Sequence, residues 1–157
     1  MTTTQHNSTS VLDLISPTLR TDLITMVRED YWPEMTDDQG ARGVNQLAAF
    51  LAVAANTTEK AAPSLRVDLF WHAFVLHTKP YADFCQALGG GFIHHVPDRS
   101  NAGHNPAEGR AAMRRTAEMI RAAGFHTDAE FWPINGAADC TQSYAGCSDS
   151  PNTGKGK

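Results

Sequence analysis

The sequence is short of charge, of cysteine and of long apolar runs, and each shortage excludes a class of function. Charged residues make up 19% of its 157 positions, and 13 Lys and Arg against 17 Asp and Glu leave a formal net charge of −4. A surface built for nucleic acid or anionic lipid needs clustered cations, so neither partner is expected. Three cysteines without a CxxC pair do not make a disulfide framework. The longest apolar run, Leu47 to Ala55, has nine residues, whereas a membrane-spanning helix takes about 20. The first ten residues, MTTTQHNSTS, show neither a basic nor an apolar region, so the expected location is the cytoplasm. Asn7-Ser8-Thr9 and Asn56-Thr57-Thr58 match the glycosylation pattern, which carries no meaning without secretion. What is present is a 41% hydrophobic share, too large for wholesale disorder and of a length that suits one domain.

The two ends have little to bury. Residues 1–10 are mostly Thr, Ser, Asn and Gln, and residues 135–157 are rich in Gly, Ser, Asn and Thr and finish in GKGK. Both are expected to be disordered, which leaves residues 11–134 as the folded body. Within it, helix signals dominate. Ser16-Pro17 caps a first helix carrying Leu19, Leu23, Met26 and Val27, closed near Tyr31-Trp32-Pro33. Thr36-Asp37-Asp38 opens a second with Val44, Leu47, Phe50, Leu51 and Ala54 on one face, its first turns weakened by Gly40 and Gly43. Pro63-Ser64 starts a third through LRVDLFWHAFVLHT. Pro80 is expected to bias Lys79 away from helical geometry and to start a fourth, which Gly89, Gly90 and Gly91 end. FIHHVP, Phe92 to Pro97, reads as short and extended, and no strand pairs with it. Asn105-Pro106 opens the clearest helix and Gly124 closes it, before a last turn at Thr127 to Glu130. The predicted fold is mainly α, a compact bundle of about five helices with one extended segment.

Four of the seven histidines, His72, His77, His94 and His95, fall within 24 residues, together with Asp68, Tyr81, Asp83 and Cys85. Imidazole, thiolate and carboxylate are the ligands of zinc, iron or copper. Asp68 and His72 are four apart and share a helical face, as two ligands or as a ligand with its orienting carboxylate. His72 and His77 are five apart, about 140° around a straight helix, too far to chelate one ion unless the helix loosens before Pro80. His94 and His95 point to opposite sides of an extended segment, so at most one faces His72. The best constellation is Asp68, His72 and one of His94 and His95, with His77 or Cys85 as further ligands. Each residue also has a plain structural reading. His72 hydrogen-bonded to Asp68 would be a core histidine, His77 would favour a helix C-terminus, and His94 and His95 would close the glycine turn. Cys85, beside Phe84, reads as a small buried hydrophobe before it reads as a nucleophile. The three glycines lack the Lys-Ser/Thr of a phosphate loop, and Arg110, Arg114, Arg115 and Arg121, balanced by Glu108 and Glu118, mark a solvated face.

The stretch Val67 to Pro97 resembles a shared block of the glycine-rich domain-containing protein family of plants and its small bacterial relatives. The matching positions are Asp68, Trp71, His72, Leu76, His77, Tyr81, Phe84, Cys85, Gly91, His94, His95 and Pro97. The chain lacks the long Gly-rich region of the larger plant members, and the block implies no particular chemistry. Three functions follow from the residues. One is a transition-metal-binding domain built on the Asp/His/Cys block. Another is a non-catalytic interaction module with structural histidines and an unidentified protein partner. The third is a protein modified at Cys140, Tyr144 and Cys147 of its tail.

Overall fold

The computed structural model describes residues 11–96 and 106–133. The two terminal segments expected to be disordered, the Cys140/Tyr144/Cys147 group and the Asn105 cap lie outside the described residues. Five helices follow in order: α1 (Pro17–Asp30), α2 (Asp37–Asn56), α3 (Leu65–Leu76), α4 (Thr78–Leu88) and α5 (Pro106–Ala122). No strand occurs among the described residues, and no helix there is long and apolar enough to cross a membrane.

Side-chain caps start the first three helices. Ser16, Thr36 and Ser64 each accept the backbone N–H three residues on, meeting one of the donors a helix start leaves without a partner. At Thr36 the cap is reciprocal, because the Gln39 side chain accepts the Thr36 N–H at 2.9 Å. Lys79 departs from the sequence reading: α4 begins at Thr78, with Lys79 helical and Pro80 in the first turn. A first-turn proline forfeits no intrahelical bond, and His77, which closes α3 and opens α4, takes the change of direction instead.

α2 is the central element and packs against the other four helices. Its early glycines mark the close crossings. A Cβ on Gly43 would stand 2.3 Å from the Phe70 ring of α3, and one on Gly40 would stand 2.7 Å from Ile24 of α1. The core they allow is aromatic: Phe50, Phe70, Trp71, Phe74, Tyr81 and Phe131 are fully buried. Phe50 meets Trp71 edge-on at 5.1 Å, and Phe74 meets Tyr81 in the same way at 5.1 Å.

After α4 the chain turns sharply. Gly89 and Gly91 hold φ of +81° and +85°, values that side chains with a Cβ avoid. Between them Gly90 lies so close to α2 that a Cβ would come within 2.3 Å of the Ala55 carbonyl oxygen. After this turn residues 92–96 run without regular secondary structure, Ile93 meeting Tyr81 of α4 and His95 meeting Asp68 of α3. Beyond α5, the turn at Asp128 plugs Phe131 and Trp132 into the core.

Candidate metal centre

Asp68 lies in the first turn of α3 and His72 one turn later, on the same side of the helix. The returning segment supplies the third member. Ile93 is buried and His94 exposed, so strand-like alternation turns His95 inward, where its side chain is 6% exposed. One ligand atom from each of Asp68, His72 and His95 lies within 4.8 Å of the other two.

Each contact in this group has a physical basis. The Asp68 side chain is 9% exposed, so its carboxylate requires partners. His95 Nε2 lies 2.9 Å from Asp68 Oδ1, and since a carboxylate only accepts, the ring donates there. His72 Nδ1 donates to the Asp68 carbonyl oxygen at 2.8 Å and stands 3.4 Å from Asp68 Oδ2. A neutral imidazole with its proton on Nδ1 carries its lone pair on Nε2, the tautomer a metal takes. The His95 ring sits between Trp71 and His72, with both centroids 4.2 Å away. Trp71 is fixed in turn, because its Nε1 donates to the Tyr81 hydroxyl at 3.0 Å, and that hydroxyl donates to the Ile93 carbonyl. The same Trp71–Tyr81 pair therefore anchors the backbone two residues before His95. Sequence reading treats Trp71 as core and Tyr81 as a motif position; their adjacency to His72 and Cys85 is the only signal of this supporting role.

The other expected ligands stand apart from the group. His77 Nδ1 bonds the Ala73 carbonyl at 2.8 Å at the junction of α3 and α4. His94 is exposed and packs on Phe92 with centroids 4.8 Å apart. Cys85 is buried as a free thiol in α4. Burial pushes its pKa up, against the opposing effect of the Ile93 backbone and the Tyr81 hydroxyl, as for a small buried hydrophobe.

Comparison with known proteins bears on descent. The chain matches none of the curated proteins, and none of the solved structures. The glycine-rich domain resemblance does not hold: the family whose profile the chain fits is a different one, and no glycine-rich domain supports the earlier name. The Val67 to Pro97 block misleads for a physical reason. Trp71, Tyr81, Phe84 and Cys85 within it are buried, so likeness there reports how a core packs. The fitted profile spans residues 14–123, from ahead of α1 past the end of α5, and on that extent the chain belongs to the UCP032817-like family.

Proposed function

We propose that this helical domain binds a divalent transition metal ion through Asp68, His72 and His95. The observation that carries the proposal is the convergence of two imidazoles and one carboxylate, with ligand atoms within 4.8 Å of one another, from α3 and a segment 27 residues away in sequence. Nitrogen and carboxylate oxygen suit zinc, iron and copper. The buried neighbours support the reading, since Trp71 holds the His95 ring and the Asp68 carbonyl sets the His72 tautomer. The free Cys85 and the absence of a membrane-length helix among the described residues fit a cytoplasmic protein.

A purely structural pair has support of its own. The Asp68–His95 contact at 2.9 Å already satisfies the carboxylate, and among the described residues no buried side-chain nitrogen or oxygen lacks a partner. Thermal melts of wild type and His72→Ala, each with and without chelator, separate the two. For the metal site, chelation lowers the wild-type midpoint and leaves the variant unmoved, since an ion stabilises only the state that holds it, by about 2.7 kcal/mol at a hundredfold excess over Kd. For the structural pair, chelator moves neither protein, and His72→Ala, which leaves the Asp68–His95 bond in place, has the same small effect in both conditions. Elemental analysis of the untagged protein identifies the ion.

A further inference from the structure

The His95 ring meets Asp68 only while the segment that carries it is held in place. We infer that the buried Tyr81 hydroxyl is a positioning group for this centre, which sets the His95 ring and through it the affinity for a metal ion. The inference rests on the metal reading above and adds a control point on α4, outside the ligands themselves.

Three observations carry it. The first is that His95 is held at two places and Tyr81 reaches both. The ring packs against Trp71 with centroids 4.2 Å apart, and Trp71 Nε1 donates to the Tyr81 hydroxyl at 3.0 Å. The backbone arrives from Ile93, two residues earlier, and the same hydroxyl donates to the Ile93 carbonyl. One oxygen on α4 therefore joins α3, which carries Asp68 and His72, to the segment that carries His95. The second is that the hydroxyl is itself fixed. Tyr81 is fully buried, and its ring meets Phe74 and Phe92 edge-on at 5.1 Å and 5.3 Å. The third is polarity. The oxygen accepts from Trp71 and gives its one proton to Ile93, so these two bonds are made together or lost together. Phenylalanine at this position keeps the ring and deletes both, which lets the indole and the Ile93 backbone shift. His95 Nε2 stands 2.9 Å from Asp68 Oδ1, and an ion between imidazole and carboxylate tolerates only about 0.2 Å in each ligand distance. Groups that orient a ligand are typically worth about 10–100-fold in metal affinity.

The test uses the intact chain and zinc ion alone. Calorimetric titration compares wild type, Tyr81→Phe and Thr116→Val. Thr116 lies in α5, and its buried hydroxyl accepts the Ala62 N–H at 2.9 Å and donates to the Ala112 carbonyl at 2.8 Å. Its replacement is thus a matched loss of one buried hydroxyl from another helix. Zinc affinity should fall about tenfold or more in Tyr81→Phe and keep its wild-type value in Thr116→Val. Zinc taken up at saturation, per chain shown to be folded by circular dichroism, should be the same in all three. If Tyr81→Phe does not fold, the wild type decides by hydrogen exchange, because coupling between two sites is reciprocal. Zinc should then slow exchange of the Trp71 indole N–H more than that of Trp132, whose Nε1 donates to Gln46 at 2.9 Å. Wild-type affinity in Tyr81→Phe, an equal fall in Thr116→Val, or equal slowing of the two indoles overturns the positioning role and leaves metal binding intact. Failure of the wild type to take up zinc overturns both.

Discussion

Asp68 is the residue on which both readings of the site turn. It is an acid in the first turn of a helix, where the N-terminal dipole favours negative charge, and its burial obliges it to keep partners. His95→Ala removes one of those partners and a ring that packs on Trp71. It should abolish metal content, whereas Cys85→Ala should leave the metal-to-protein ratio unchanged. Elemental analysis of the two variants side by side checks this, and a loss in both would return Cys85 to the ligand set. Tyr81 can also be tested through stability. Tyr81→Phe deletes an acceptor for Trp71 and a donor to Ile93, both buried. It should cost about 1–3 kcal/mol in denaturant unfolding for the groups left unmet. A neutral result would mean that water or a shifted backbone replaces the hydroxyl.

Among the helices, α2 and α5 each carry glycine in their first turns, with opposite consequences. Helix propensity alone favours alanine over glycine by about 1 kcal/mol at either place. A Cβ on Gly109 of α5 meets nothing within 4 Å, so Gly109→Ala should stabilise by about 0.5–1 kcal/mol. On Gly43 the added carbon runs into the Phe70 ring at 2.3 Å, and overpacking a core typically costs about 1–3 kcal/mol. Gly43→Ala should therefore destabilise despite the better helix former. Paired denaturant midpoints decide, and a gain at Gly43 would show that α2 and α3 can slide apart. The same reasoning covers the turn after α4. Gly90→Ala drives a Cβ onto a backbone carbonyl that cannot swing aside, so it should displace residues 92–96 and, with them, His95 from Asp68.

At the scale of the whole molecule, a charged lattice ties the last turn to α2 and α3. Arg42 bonds Asp128 at 2.8 Å and Asp38 at 2.8 Å, and reaches Glu130 at 3.4 Å. Arg66 meets Glu130 at 3.1 Å and lies over the Trp32 ring. The buried Gln46 accepts Trp132 Nε1 at 2.9 Å and donates to the His126 carbonyl at 3.1 Å. Burial by itself would raise the Asp128 pKa, but the Arg42 hydrogen bond, the Glu130 N–H and nearby positive charge together hold it below the ordinary carboxylate value. A carboxyl depressed in the folded state binds fewer protons there than in the unfolded chain. Its stabilisation is complete above the unfolded value of about 3.9 and is lost as pH falls through the lower folded value. The stability difference between wild type and Asp128→Asn should accordingly hold at neutral pH and shrink below about pH 4. Urea melts across that range check it, and a difference independent of pH would assign the effect to packing of the turn. Because Arg42 is only half-buried, the difference should also narrow in high salt.

Local chemistry in the sequence determined the helices. Ser16, Thr36 and Ser64 accept N–H groups three residues away, and Gly89 and Gly124 take left-handed angles next to the helix ends they follow. Such signals act within one turn of chain, so they are legible without knowledge of what lies across the core. The helical spacing of Asp68 and His72 and the opposed directions of His94 and His95 were legible for the same reason. Other features depended on long-range packing. His95 rather than His94 faces Asp68 because Ile93 is drawn into the core, and alternation then turns the next side chain, His94, outward and the one after it, His95, toward α3. Gly40 and Gly43, which weaken a helix by propensity, are the positions where α1 and α3 approach α2 most closely. Gln46 reads as an ordinary polar residue in a helix, yet it is buried and bonded to a turn about 80 residues on. Contacts of that kind arise only when the chain has closed on itself, and the Asp68–His72–His95 centre is one of them.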